Sequence, residues 1–321
     1  MTATGSSGSR HFQLRDLGDG VYAAIATDGG WAVCNAGIID LGDCTIVFDT
    51  FVNHTAALDL KAAAERVTGG TVDYVVNSHP HRDHVRGNQV FADSTIVASD
   101  KTHEVMASAW QARCERVEKE GLGPIRREVE QEFQAWTSDP TTTAADLILW
   151  DGYLQGILHG LDSYNLKLPD LTFQSKMTFN GSKHSAEAIG YSGHSPSDTV
   201  LYLPEQRTAF LADLFFIGYQ PYFVEGDAEE LFRSLDKVEA LGATRLVPGH
   251  GPVGTVEDIA NLRDYYEMLQ KTLEEVDPRE SPQAGFKPIA SRFKDWKWNS
   301  FYKANLESLL KKKASENQIR R

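Results

Sequence analysis

The chain of 321 residues sets 45 Asp and Glu against 32 Lys and Arg, a formal net charge of −13 at pH 7. That balance disfavours unspecific attraction to phosphate backbones, and so argues against nuclease function. With 41% hydrophobic and 24% charged residues, a sizeable core can form and bulk disorder is set aside. The three cysteines, Cys34, Cys44 and Cys114, are an odd number without C-x-x-C spacing, which excludes a disulfide framework.

In chain order, residues 1–10 are rich in Ser, Gly and Thr and lack an apolar run. They read as a flexible tail rather than a signal peptide, and the cytoplasm is the default location. No stretch reaches membrane-spanning length. Strands are expected over 21–26, 32–39 and 45–48, then a helix over 55–67 and a buried strand over 71–76. Further strands are expected over 95–98, 172–179, 186–191, 199–203, 209–212 and 245–247, with helices over 228–240 and 256–275. Short turns between the early strands and helices after the later ones suggest two packed sheets covered by helices.

Between residues 101 and 169 the strand signal vanishes. Helical patterning over 102–119, 125–136 and 144–161 marks an insertion carrying Trp110, Trp136 and Trp150. Those rings either line an apolar pocket over the site or pack the helices onto the body or a second subunit, as in a homodimer through the insertion. Residues 286–321 hold ten Lys and Arg against three Asp and Glu. They read as a basic helical extension of the same domain, a solvated helix end rather than a nucleic-acid or membrane patch. The expected organisation is the tail, a catalytic domain over 11–285, and this extension.

The chemistry concentrates in His79-Pro80-His81-Arg82-Asp83-His84, at the carboxyl end of the strand ending at Val76. Imidazoles at i and i+2 of an extended segment point the same way, so one loop can face two adjacent cations. Gly193-His194-Ser195, Asp213 after the run Ala209–Leu211, and Pro248-Gly249-His250-Gly251 after Arg245–Val247 each add one ligand. Five histidines and two aspartates suit a dinuclear centre with one bridging carboxylate. Gly249 to Gly254 also spells G-x-G-x-x-G, but it comes late, carries Pro252, and its histidine is needed as a ligand, so nucleotide binding is set aside. His11, His54, His103, His159 and His184 belong to no motif; they are read as ordinary, with room for one to enter a substrate pocket.

The order H-x-H-x-D-H, G-H-S, A-D-L-F-F and P-G-H-G, with Asn35–Gly42, Asp49 of Val47-Phe48-Asp49-Thr50 and Gly87-Asn88, resembles the metallo-β-lactamase superfamily of metal-dependent hydrolases over about residues 20–270. The resemblance implies an αββα sandwich with its site at one edge. It also implies one metal on His79, His81 and His194, a second on Asp83, His84 and His250, and Asp213 bridging them. Asp49 would orient the ligand loop; a turn-capping aspartate is the other reading. Asp213 stands where some members carry a cysteine, which favours two-metal chemistry.

Two zinc ions per chain are expected, with iron or manganese as the other candidates. Zinc brings bound water to a pKa of about 7, so the expected activity is a hydrolase of a small ester, thioester, lactone or amide. Weak β-lactamase activity and hydrolytic dehalogenation lie within the same chemistry. Asp83 and Asp213 would position the nucleophile, and Asp83 would pass a proton to the leaving group. Tyr219 and Tyr222, shortly after Asp213, are candidate donors to a developing oxyanion. The expected partner is a small-molecule substrate, with neither nucleic acid nor membrane. The alternative is an iron persulfide-dioxygenase-like oxidoreductase using His, His and Asp. A non-catalytic binding protein fits an intact ligand set poorly.

Overall fold

The computed structural model describes residues 8–275 and 288–319. Residues 1–7 of the expected tail, the 285/286 boundary and Arg320-Arg321 lie outside the described residues. Two mixed sheets form the centre. The first runs β1 (Phe12–Gly18), β2 (Val21–Ala26), β3 (Ala36–Asp40), β4 (Thr45–Phe48), β5 (Tyr74–Val76), β6 (Thr95–Ser99) and β7 (Leu171–Phe173), antiparallel as far as β4 and parallel after it. The second orders β8 (Lys176–Asn180), β9 (Ser185–Tyr191), β10 (Asp198–Leu203), β11 (Thr208–Phe216) and β12 (Arg245–His250). Only its β11–β12 pair is parallel.

Strand periodicity assigns the faces. Ile46 and Phe48 of β4 and Phe210 of β11 meet between the sheets, with Val76, Leu201 and Val247. Val47 points outward with Val75 and Ile96 onto Leu60 and the alanines of α1 (His54–Thr68). On the opposite side, Val200, Leu211 and Leu246 pack on α6 (Ala228–Ala240), α7 (Glu257–Glu274) and α8 (Ser300–Ile319) through Leu235, Leu262 and Leu306. The layers are therefore helix, sheet, sheet, helix. Asn53 caps α1 by accepting from the Thr55 amide, and Gly69, at φ 73°, ends it in the left-handed region that favours glycine.

Several boundaries differ from expectation; the strand expected from 71 begins only at Tyr74, and the one expected over 245–247 runs on to His250. β1 lies on an exposed edge, where Arg15 and Asp16 interrupt the apolar alternation. The strand expected from 32 begins only at Ala36, because residues 31–35 form a loop whose polar groups reach the site. The run expected as one strand over 172–179 crosses between the sheets at Gln174-Ser175, with β7 on one side and β8 on the other. β11 continues past Ala212 to Phe216, with register breaks around Ala212.

The insertion holds three helices, α3 (Asp100–Glu120), α4 (Gly123–Thr137) and α5 (Ala144–His159), after the short α2 (Arg82–Val85) and a 3-10 turn over Arg86–Phe91. Thr143 and Asp146 close a reciprocal capping box at the start of α5. No helix among the described residues is long and apolar enough to cross a membrane.

Candidate metal centre

Strand ends deliver ligand loops to one edge, two of them from strands in parallel pairs, as carboxyl ends do in α/β sheets. β5 leads into His79–His84, β12 ends on His250, and the β9–β10 turn carries His194. Asp213 lies inside β11, where Phe210 pairs with Val247 and Ala212 with Pro248, so one extra residue is bulged out. Ala212 sits at φ 45°. Positive φ recurs around the site, at Val33 (73°), Asp49 (61°), Phe51 (69°) and Trp298 (61°). Strain of this kind persists where the surroundings over-determine it.

All seven expected ligands converge. His79, His81, His194 and Asp213 form one group able to hold a metal, and Asp83, His84 and His250 form a second, the atoms of each lying within 4.8 Å of one another. Asp213 faces both. Its Oδ2 is 3.3 Å from His194 Nε2 and 3.8 Å from His79 Nε2; its Oδ1 is 3.2 Å from His84 Nε2 and 3.3 Å from His250 Nε2. Asp83 Oδ2 is 3.5 Å from His250 Nε2 and 3.6 Å from His84 Nε2. Zn–N bonds of 2.0–2.1 Å in a tetrahedron put ligand atoms ~3.3 Å apart. The observed spacings scatter about that edge.

In four of the five ligand histidines the free ring nitrogen is set by what holds the opposite one; His194 Nδ1 is buried without a hydrogen-bond partner. Asp49, fully buried, accepts from the Ser78 amide (2.8 Å), the Ser78 hydroxyl (2.7 Å) and His84 Nδ1 (2.7 Å). The same hydroxyl accepts from His79 Nδ1 at 2.9 Å. His250 Nδ1 donates to the Val33 carbonyl (3.1 Å), and His81 Nε2 to Glu225 (3.0 Å). His81 thus presents Nδ1, 3.0 Å from His194 Nε2, where the other histidines present Nε2. Such partners fix the tautomer of a metal-binding histidine.

Buried His79 Nε2, His84 Nε2 and Asp213 Oδ1 have no hydrogen-bond partner, an arrangement that is costly unless a cation fills it. The electrostatics divide the histidines: burial would lower His84 and His81, but Cys34, Asp213 and Asp49 raise His84 well above its ordinary value and Glu225 raises His81, whereas two others are held neutral. Burial keeps His194 down to about 3, and burial with His84 and His81 holds His79 well below its ordinary value. Neutral imidazoles are what a metal requires. Burial would raise the Asp213 carboxyl, but His250, His84 and His194 hold it well below the carboxylate range.

Two glycines are required by close approach. A Cβ on Gly249 would lie 1.9 Å from Asp213 Oδ1, and one on Gly87 would lie 1.9 Å from the Thr50 carbonyl oxygen. Asn35 clasps the same turn, donating to the Pro248 and Gly251 carbonyls at 2.8 Å each, and Cys34 Sγ donates to the Asp83 carbonyl at 3.0 Å. Asp198 braces the His194 loop by accepting from the His194 and Ser195 amides and the Ser195 hydroxyl.

The family model of the metallo-beta-lactamase superfamily matches residues 29–250. The chain belongs to the metallo-beta-lactamase superfamily. Two solved structures are similar to this superfamily member: a metallo-beta-lactamase from Pontibacter korlensis, with TM-score 0.53 and 15% identity over 79% of this chain and 97% of that one, and a metallo beta lactamase from Hirschia baltica, with TM-score 0.52 and 14% identity over 78% and 95%. At such identity the likeness is one of fold. No curated protein matches the chain.

Against the centre of this metallo-beta-lactamase fold lies a cavity of about 320 Å³. The insertion lines it through Glu132, Phe133, Trp136, Trp150 and Tyr153, and the chain near α8 through Trp298 and Phe301. Both readings of the tryptophans hold for Trp136 and Trp150, which line the cavity and also pack α4 and α5 onto Trp298 and Phe301. Trp110 is elsewhere, beside Tyr164. Asp146 joins the two segments, accepting from the Trp298 amide and from Asn299 Nδ2 (3.2 Å). The start of the basic extension is therefore part of the cavity wall, not only a solvated helix end.

Tyr219 is turned away: its hydroxyl lies with Lys297 (3.2 Å) and Asp28 (3.4 Å). Tyr222 lines the cavity against Phe301. Among the described residues, His11, His54, His103, His159 and His184 do not line it; His11 stacks on Trp31, and His159 packs on Trp31 and stacks with His54. Sequence reasoning missed Tyr153, whose hydroxyl donates to Asp83 Oδ1 at 3.1 Å while accepting from Arg82 Nε at 3.3 Å. It also missed Glu225 and Trp298. Tyr153 appears in the sequence only as one more aromatic of a helical pattern, with no spacing that ties it to Asp83.

Proposed function

We propose that this chain is a metal-dependent hydrolase of small esters, thioesters, lactones or amides, holding two divalent cations, zinc in the first instance. The observation that carries the reading is Asp213, whose two oxygens face two separate histidine sets at 3.2–3.8 Å. His79, His81 and His194 would hold one cation, Asp83, His84 and His250 the other, with Asp213 between them. Cations bound there lower the pKa of coordinated water to about 7 and polarise a carbonyl oxygen.

The remaining work falls to the side chains. Asp83 has one oxygen toward the ligand nitrogens and the other fixed by Tyr153, so it is placed to take a proton from the nucleophile and return it to the leaving group. Burial and Asp83 keep the Tyr153 phenol protonated by raising its pKa. It therefore stays a donor. The aromatic walls bind the apolar part of the substrate and exclude water. Residues 11–285 and the extension act as one catalytic domain, and the net charge of −13 fits a small-molecule substrate better than nucleic acid.

The test is metal content per chain in protein purified without chelator, paired with turnover of a lactone, thioester and β-lactam panel. Two zinc ions per chain, with turnover lost in Asp213→Ala, is the expected result. One iron per chain with oxygen uptake on a persulfide would replace this reading by the oxygenase, for which His79, His81, His194 and Asp213 form a sufficient set.

A further inference from the structure

We infer that the cavity selects substrates carrying a flat aromatic ring, such as arylacetyl esters, thioesters or amides; the substrate class rests on the hydrolase reading above. Apart from Pro80, the ligands and three charged residues, every side chain lining the cavity is aromatic, and no aliphatic side chain lines it among the described residues. An apolar pocket built for alkyl chains has no need of that restriction.

The rings are ordered. Trp136, Trp150 and Trp298 form an offset stack, with centroids 5.8 and 5.6 Å apart and planes within 14° and 20°. Phe133 stands edge-on to Trp150 at 78°, and Phe301 edge-on to Trp136 at 81°. Trp150 is the closed centre of this herringbone, between Trp136 and Trp298, and a guest meets only the parts of the rings that border the cavity. A guest ring complements them through its quadrupole, in offset or edge-to-face contact, whereas a saturated ring of similar size is puckered and supplies area alone. The wall is also prefixed, because Asp146 pins the Trp298 amide to the first turn of α5.

Charge narrows the guest further. Arg82 is paired with Glu132, and Glu225 with His81, so the three charged residues of the wall are already matched. A quaternary ammonium finds no free carboxylate among them, and it would lie beside the cations the cradle holds. A neutral aryl group fits both constraints.

The test compares phenylacetyl with cyclohexylacetyl thioesters of one thiol, on metal-loaded full-length protein. In parallel, binding of phenylacetamide and cyclohexylacetamide to metal-free protein is followed by tryptophan fluorescence. The expected result is a phenyl preference of about tenfold in kcat/KM and in affinity, falling toward unity in Trp136→Leu. Tyr222→Leu, at the half-buried rim, gives the same loss of preference should the first variant fold poorly. A ratio at or below one in the unaltered protein, or one unchanged in both variants, overturns the inference. Faster turnover of a choline ester than of its neutral 3,3-dimethylbutyl counterpart overturns it in favour of a cation cage. Thioester turnover without aryl preference sinks this inference and leaves the hydrolase standing. Aryl-selective binding with no turnover does the reverse.

Discussion

Asp49→Asn tests the centre where it is most dependent on a residue that would touch no metal. The carboxylate is fully buried and takes three hydrogen bonds, two from Ser78 and one from His84 Nδ1. Asparagine has the same shape and tolerates the φ of 61° as readily as aspartate, so the backbone keeps its course. With the amide oxygen on the Ser78 N–H, the NH₂ group faces His84. The imidazole must then carry its proton on Nε2, the nitrogen 3.2 Å from Asp213 Oδ1, and its ligand lone pair is lost. Removing the partner behind a metal-binding histidine costs about 10–100-fold in metal affinity, or about 1.4–2.8 kcal/mol. The loss should fall mainly on the cation held by Asp83, His84 and His250. A smaller loss is expected at the other, since His79 depends on Asp49 only through the Ser78 hydroxyl. Competition against a chromophoric chelator resolves the two steps. If both affinities stay within about twofold of the unaltered protein, Asp49 is only a turn cap and the account of the ligand loop is wrong.

Three further outcomes are expected. Gly249→Ala, whose methyl would land on Asp213 Oδ1, should cost bound metal and turnover far more than far-UV circular dichroism; full metal content in a folded variant would refute the close-approach argument. Tyr153→Phe should lower kcat by about tenfold or more, as loss of a hydrogen bond to a charged group implies, with metal content intact; an unchanged kcat dismisses its role on Asp83. For pH, burial, then the neighbouring Arg10 charge, lower His11 below its ordinary 6.5. Between that folded value and 6.5 the unfolded chain binds more protons than the folded one, so the contribution of His11 is present above 6.5 and is lost as pH falls below it. His11→Asn, which keeps an acceptor for the Trp31 amide, should flatten the decline of the urea midpoint between about pH 7 and pH 5; identical slopes would count against the assignment.

The layers were legible because they rest on period-two and period-3.6 apolar patterns, as in Val47 against Ile46 and Phe48. The convergence of His79, His194 and His250 was legible from short motifs at strand ends, and that of Asp213 from its motif although it lies inside β11. Other features depend on conformation that no local pattern announces. Asp213 follows a bulge before Ala212, and β11 is a continuous buried run with no polar alternation from which the shift of phase could be read. The residues expected to open a strand at 32 instead supply the Val33 carbonyl to His250, which needs a positive φ at a β-branched residue. Tyr153, Glu225 and Trp298 reach the centre only through tertiary packing of segments far apart in sequence.

The clasp between Asp146 and Trp298 divides the molecule's obligations. Every residue expected to bind metal has been synthesised once His250 is made, yet the wall facing those residues waits for Trp298 and Phe301. A nascent or clipped chain ending between them would carry a complete set of ligands open to solvent, free to take up metal but without the enclosure that chooses a substrate. The same separation gives evolution two dials, joined where Tyr153 bonds Asp83 and Trp298 packs on His250. Exchanges in α4, α5 and the Trp298 segment retune what is admitted, while the loops that hold the ligands are left as they are.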